Sequence, residues 1–270
     1  MLQALTAAPP GGPWAQFGKR AVDLGLSAAL LVMLAPVLGI CALAVRLIDG
    51  RPVVFRQERV GRHGVSFTIL KFRTMRAAAG DPLTVAGDPR ITALGSRLRR
   101  AKLDELPQLW NVLRGSMSLV GPRPELPSFV AAARSSFYAI RHLRPGMADW
   151  ASLIFRDEER ILADHANEAD FYRTVLLPRK LALARLYARH ISAALDLRLF
   201  LAAACLGCGL ASLSRRLVGS RLYARARELP ATSPISQRAP SPGGGVVPSQ
   251  APAKAAASPA APGSAAPGTV

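Results

Sequence analysis

The longest apolar stretch, Leu24 to Val45, reads LGLSAALLVMLAPVLGICALAV and holds no charged residue. At ~1.5 Å of rise per residue it is long enough for a membrane helix. A signal peptide is the rival reading, since Ala42-Leu43-Ala44 resembles a cleavage site. The run is too long for an ordinary signal core, however, and nothing downstream reads as secreted. Pro36 falls near the middle, removes a helix hydrogen bond and predicts a kink. Lys19 and Arg20 precede the run, and Arg46 and Arg51 follow it. Basic residues on both flanks favour the same side of a bilayer, which one straight span cannot provide. The pattern therefore favours a re-entrant helix hairpin over a straight span. The argument against it is the set of backbone groups freed at the bend.

Beyond this segment the period changes. PVVFRQERV and VSFTILKFRTM carry β-branched and aromatic residues on either side of Gly61-Arg62-His63-Gly64, which predicts a β-hairpin within 52–76. Asp81-Pro82 and Asp88-Pro89 mark a loop. In 91–103, Ile91, Leu94, Leu98 and Ala101 share a helical face while Arg97, Arg99, Arg100 and Lys102 load the rest. This is either an interfacial amphipathic helix or a core-facing helix with a solvated basic side. Residues 126–143 repeat the theme with Phe129, Val130, Ala133, Phe137 and Ile140. After a turn at Arg144-Pro145-Gly146 the chain reads mostly helical. Its uncharged end, Leu199 to Leu213, is short for a span and reads as a second membrane-lying segment or a packed helix. From Pro230 to Val270 the composition falls to Pro, Ala, Ser and Gly, which predicts a disordered tail.

Composition sharpens this picture. Of 270 residues, 50% are hydrophobic, enough for a sizeable core, and 35 Lys and Arg against 17 Asp and Glu give a net charge of +18. Such a balance favours polyanions: nucleic acid, anionic headgroups or phosphorylated substrates. Aromatics at 6% weaken single-strand nucleic-acid binding, and the long apolar segment argues against any nucleic-acid partner. Cys41, Cys205 and Cys208 lie in apolar runs without a framework spacing, so they read as small buried hydrophobes. His63, His142, His165 and His190 are scattered and read as solvated or capping residues.

The candidate chemistry lies in AKLDELPQLWNVLRGSMSLVGPRPE, residues 101–125. Asp104 and Glu105 are adjacent carboxylates inside a basic region. The plain reading makes Asp104 a helix cap, with Glu105 in the first turn and Pro107 near the start. The chemical reading is compatible with it. A carboxylate near Arg99 and Lys102 stays ionised at neutral pH, can attack phosphorus, and can ligate Mg²⁺. Pro122 and Pro124 fix the backbone around Arg123, which suits bidentate phosphate binding or, equally, a solvent-facing turn. Lys71 and Arg73 alternate on a strand and share a face. Walker-type, G-x-G-x-x-G, H-E-x-x-H and G-x-S-x-G motifs are missing.

These motifs, in this order, resemble the bacterial sugar transferases, the monotopic phosphoglycosyl transferases, in their small form. The resemblance runs from KRAVDLGLS at Lys19 through PVVFRQERVGRHGVSFTILKFRTM, the 101–125 segment, RPGMADWASL and DLRLF. It implies an α/β, mostly helical membrane-associated domain with an N-terminal re-entrant membrane helix hairpin, a small β-hairpin and interfacial amphipathic helices. The expected division is a flexible leader over 1–18, the re-entrant helix over 19–50, a cytoplasmic catalytic domain over 51–216 and the disordered tail over 230–270. The implied reaction moves a sugar-1-phosphate from a nucleotide diphosphate sugar, usually a UDP-sugar, to polyprenyl phosphate at the bacterial inner membrane. Asp104 would be the nucleophile, and Glu105 would hold Mg²⁺ or handle a proton. Lys71, Arg73, Arg99, Arg123 and Arg156 would neutralise phosphates. The lipid bilayer is an implied partner, and self-association stays open. Ala35-Pro36 departs from the Ser-Pro of many members, and Asp149 stands where many carry Gly. A rival outside the enzymes is a membrane-anchored polybasic protein that binds anionic lipid.

Overall fold

The structure, a computed structural model, describes residues 14–76 and 83–219. Asp81-Pro82, the tail and most of the leader lie outside the described residues.

The apolar run forms two helices, α1 (Lys19–Met33) and α2 (Ala35–Ala44), and one wider helical turn, Val45–Asp49. Leu34 breaks them, and Pro36 lies in the first turn of α2, where its missing N–H is among those a helix start leaves unpaired anyway. The two arms bend by 60°. Among the described residues no single helix is long and apolar enough to cross a membrane; only with its two arms taken together does this bent pair match a span, and then by length and composition alone. Val32, Met33, Ile40, Leu43, Leu47 and Ile48 project outward from it. The inner side is tied to the body: the buried Asp23 carboxylate accepts the Leu119 N–H at 3.0 Å.

The predicted hairpin is present. Strands β1 (Val54–Val60) and β2 (Ser66–Phe72) pair antiparallel from Val54↔Phe72 to Val60↔Ser66. His63 (φ 60°) and Gly64 (φ 82°) make the turn.

Helix α3 (Ala93–Arg100) begins at Thr92, whose hydroxyl accepts the Gly95 N–H at 2.8 Å. Its apolar face is not left free. Leu98 is buried with Cys41, Val45 and Phe72, while Arg97 and Arg100 face solvent. The core-facing reading of this helix therefore holds. Gly95 makes the close approach possible: a Cβ there would stand 2.1 Å from the Thr74 carbonyl oxygen. Gly95→Ala is expected to force α3 away from the exit of β2, costing roughly 1–3 kcal/mol or more. Thermal unfolding of the variant would show a midpoint several degrees lower, and an unchanged midpoint would contradict the contact.

Helix α4 (Gln108–Arg114) ends at Gly115 (φ 87°). A pair of three-residue strands, β3 (Ser118–Val120) and β4 (Gly146–Ala148), follows in parallel. The crossover between them carries α5 (Pro127–Ala132) and α6 (Arg134–Tyr138). The chain then forms α7 (Trp150–Ile154), α8 (Glu158–Ala163), α9 (Glu168–Phe171), α10 (Leu177–His190), α11 (Ala193–Gly207) and α12 (Ala211–Val218). The main core gathers Val112, Met117, Val120, Phe129, Ile154, Leu162, Leu177 and Leu199 from these elements. Leu199 and Ala202 are buried in it, whereas Leu197, Leu201, Leu210 and Leu213 are exposed. The uncharged stretch thus runs from α11 across a break at Cys208–Leu210 into α12, packed on one side and with an apolar outer face. Of the cysteines only Cys41 is buried, and Cys208 is exposed, so the expectation of buried hydrophobes fails at that residue. His142 departs from expectation too: its Nε2 is buried and has no hydrogen-bond partner.

Candidate active site

Asp104 and Glu105 lie in one tight 3₁₀ turn, Leu103–Glu105, between α3 and α4. Lys102, with φ 57°, reverses the chain into that turn. A non-glycine residue there is uncommon and costs on the order of 1 kcal/mol, so the surrounding packing must hold it. Asp104 does not cap α4: the preceding position is Pro107, and no side-chain cap bond is made. The turn instead carries Asp104 inward, to 6% exposure, where Oδ1 is buried without a hydrogen-bond partner.

Glu105 has the opposite environment. Its Oε1 accepts from Lys71 Nζ at 2.9 Å and from Arg123 Nη2 at 2.9 Å. Three segments distant in sequence thus meet at one carboxylate oxygen. Asn111 fixes their register: its Nδ2 donates to the Thr68 carbonyl at 2.8 Å and its Oδ1 accepts the Leu70 N–H at 3.0 Å. That clamp docks α4 on β2, so that Lys71, the next residue, faces Glu105. Arg123 comes from the rigid Pro122–Pro124 segment, which Arg59 Nη1 grips at the Pro124 carbonyl, 3.2 Å away.

The adjacent acids are pushed apart electrostatically. Burial, and then the charge of Glu105, raises the Asp104 carboxyl above the ordinary aspartate value, against the opposing pull of Lys71, Lys102 and Arg99. Burial also opposes ionisation of Glu105, but Lys71, Arg123 and Lys102 outweigh it and hold that carboxyl well below the usual range. Burial pushes the Lys71 ammonium down while Glu105 pulls it up. Glu105 raises the Arg123 guanidinium despite its burial. Glu105 is therefore the fixed anion, and Asp104 is the more basic and less solvated oxygen donor. An unpaired, desolvated carboxylate is what nucleophilic attack requires.

The other residues named from sequence lie at varied positions. Arg99 donates to Thr74 Oγ1 at 3.4 Å and pairs with Glu159, close enough to Asp104 to favour its charged form. Arg73 leaves the face it was expected to share with Lys71, because β2 ends at Phe72; it donates to the carbonyls of Asp49 and Arg51 and closes the end of the bent helix pair. Arg156 is exposed, without an ion pair or hydrogen bond among the described residues. The sequence reading passed over Gln108, one turn beyond Asp104, whose Nε2 is buried and has no partner. It also passed over Asn111 and the buried group Glu125, Tyr172 and Lys180. Polar residues at otherwise apolar helix positions were the available signal for Gln108 and Asn111.

Comparison with known proteins bears on the same span. The chain is 42% identical over 154 residues to an undecaprenyl-phosphate glucose phosphotransferase of Komagataeibacter xylinus, covering 53% of this chain and 29% of that one. It is 44% identical over 154 residues to a UDP-glucose:undecaprenyl-phosphate glucose-1-phosphate transferase of Caulobacter vibrioides, covering 53% and 58%. A UDP-N-acetylgalactosamine-undecaprenyl-phosphate N-acetylgalactosaminephosphotransferase of Aeromonas hydrophila is 37% identical over 167 residues, covering 58% and 38%. The matches thus span between about a third and somewhat over half of these relatives' length. Residues 14–207 match the sequence model of the bacterial sugar transferases, a span that includes both the bent helix pair and the carboxylate turn, and the chain belongs to that family.

Proposed function

We propose that the chain transfers a sugar-1-phosphate from a UDP-sugar to polyprenyl phosphate through a covalent adduct on Asp104. The observation that carries this reading is the divided pair: a buried carboxylate with an unpartnered oxygen beside one locked between Lys71 and Arg123. An Asp104 oxygen attacks the phosphorus nearest the sugar, and the bond from that phosphorus to the bridging oxygen breaks, releasing UMP. An oxygen of polyprenyl phosphate then attacks the same phosphorus, and the carboxylate leaves. The products are polyprenyl diphosphate sugar and the regenerated acid. Two displacements at one carboxylate imply ping-pong kinetics. In this reading Lys71 and Arg123, bonded to Glu105, and Arg99, near Asp104, neutralise the transferred and leaving phosphates.

A Mg²⁺ ion fits this donor set. It takes one or two carboxylates and completes its shell with water and substrate phosphates. Among the described residues Asp104 Oδ1 has no partner, and Glu105 accepts through Oε1 only. Asp104 and Glu105 would hold the ion, whose charge would offset that of the diphosphate. Among the described residues no group of three or more metal-binding side chains forms. In the proposed setting the bent pair dips into one leaflet of the bacterial inner membrane with the catalytic body on the cytoplasmic face. Its outward Val32, Met33, Ile40 and Leu43 suit that placement.

The test is mass spectrometry of membrane-embedded protein incubated with sugar-phosphate-labelled UDP-sugar and no acceptor. The label is expected on Asp104, and chelation by EDTA is expected to prevent it. A label elsewhere, or none in a preparation that releases UMP once acceptor is added, overturns the covalent route. Running a series of UDP-sugars identifies the donor.

A further inference from the structure

A second basic cluster lies at the far end of α4 from the acidic pair, about 10 Å of helix away. There a cavity of about 40 Å³ is lined by Lys19, Arg20, Arg62, His142 and Arg144, with Asp23 as the acid among its lining residues. Its volume suits a few water-sized oxygens rather than a whole nucleotide. The arginines are held in place by backbone carbonyls. Arg62 Nε donates to the His142 carbonyl at 2.8 Å, and Arg144 Nε donates to the Gly115 carbonyl at 3.0 Å. Arg20 donates to the carbonyls of Val112 and Leu113 at 2.7 and 3.1 Å. In Arg62 and Arg144 the Nε–H is thereby spent, and the terminal N–H groups have no acceptor among the described residues. His142 Nε2, buried and unpartnered, adds a polar atom without a bond. Arg62 and Arg144 repel each other, and burial together with Arg62, His63 and Arg141 keeps the His142 ring toward its neutral form. Lys19 is already paired with Asp196 at 2.8 Å and Asp23 lines one side, but Arg20, Arg62 and Arg144 form no ion pair among the described residues. Guanidinium groups pre-oriented in this way are suited to tetrahedral oxyanions, for which their forks are matched in geometry.

We infer that this cavity binds a phosphate group, as a site separate from the Asp104 centre. The group reaches it either as a phospholipid headgroup or as a soluble phosphate, and both offer the same oxygens. Arg62 is exposed, so Arg62→Ala leaves the core untouched and is expected to leave turnover at its basal value.

In detergent, the full chain is titrated with inorganic phosphate against chloride at matched ionic strength, by calorimetry. Arg62→Ala is expected to weaken binding roughly tenfold. Arg144→Gln provides an independent second variant, and Arg123→Gln tests the catalytic centre. In nanodiscs of phosphatidylcholine with and without phosphatidylglycerol, thermal unfolding reads the lipid source. A midpoint rise that needs phosphatidylglycerol and vanishes in Arg62→Ala assigns the site to a headgroup. A loss confined to the phosphate titration assigns it to soluble phosphate. Phosphate binding lost in Arg123→Gln alone, or neither response changed in Arg62→Ala and Arg144→Gln, overturns the inference.

Discussion

Asp104→Asn is expected to lower turnover by about 10⁴-fold or more, as removal of a covalent nucleophile does, while raising the unfolding temperature. The two effects share one cause. The carboxylate is buried, has an unsatisfied oxygen and sits next to the ionised Glu105, so its charged form is unfavourable in the fold. An amide has nearly the same shape, carries no charge and cannot form the acyl phosphate. The sign of the pH dependence follows. Because the folded value is raised, the folded chain holds more protons than the unfolded chain between the ordinary and the raised values. Stability therefore falls as pH rises through that window and stays reduced above it, and the Asn variant lacks this loss. Activity moves the other way. The wild-type kcat/KM should decline on the acid side at a pH above that of an ordinary aspartate, as the nucleophile gains its proton. Steady-state UMP release and thermal unfolding across pH measure both. A variant that retains turnover removes Asp104 from the mechanism, and a lower midpoint contradicts the charge strain.

Several features were legible in sequence because a local pattern encodes them. The 60° bend follows from a proline within an uninterrupted apolar run, and the hairpin from alternating β-branched residues around a four-residue turn. The adjacent acids and Arg123 were legible as chemistry, but not the division of labour between them. That division depends on which carboxylate the Leu103–Glu105 turn buries and on which one Lys71 and Arg123 reach across 34 and 18 residues of sequence. The helix-cap expectation for Asp104 failed for the same reason: Lys102 in a left-handed conformation starts a separate turn before α4. The parallel pair β3–β4 left no period to read, since each strand has three residues and their contact rests on backbone approach at Gly121 and Gly146. Arg73 was misplaced by one residue of strand length, which sends it to the end of the bent helix pair.

Lys180→Met is expected to destabilise the fold by about 3–5 kcal/mol, roughly 10 °C in midpoint, because it leaves the buried Glu125 and the partly buried Glu158 without their shared cation. Lys180 lies on α10 at 7% side-chain exposure, 3.2 Å from Glu125 and 3.3 Å from Glu158, and it donates to the Tyr172 hydroxyl at 2.9 Å. Tyr172 in turn donates to Glu125 Oε2 at 2.8 Å. Burial works against the ammonium, yet Glu125, Glu158 and Tyr172 outweigh it and hold its pKa well above the ordinary lysine value. A raised basic group contributes stability that is complete below its unfolded pKa and is lost only as pH rises through the folded one. Lys180 is therefore fully stabilising at neutral pH, and the Met variant should be deficient throughout that range. Glu125 follows Arg123 and Pro124 directly, and its own carbonyl accepts the Val60 N–H at 3.0 Å, so the network also anchors the segment that presents Arg123 to Glu105. Any folded fraction of Lys180→Met should consequently turn over more slowly. Adding Glu125→Gln removes one stranded charge and should restore a large part of the lost stability, a coupling that a double-mutant cycle on thermal midpoints measures. A single variant as stable as wild type, or a double variant no better than the single, would show that this buried group does not hold the arginine segment in place.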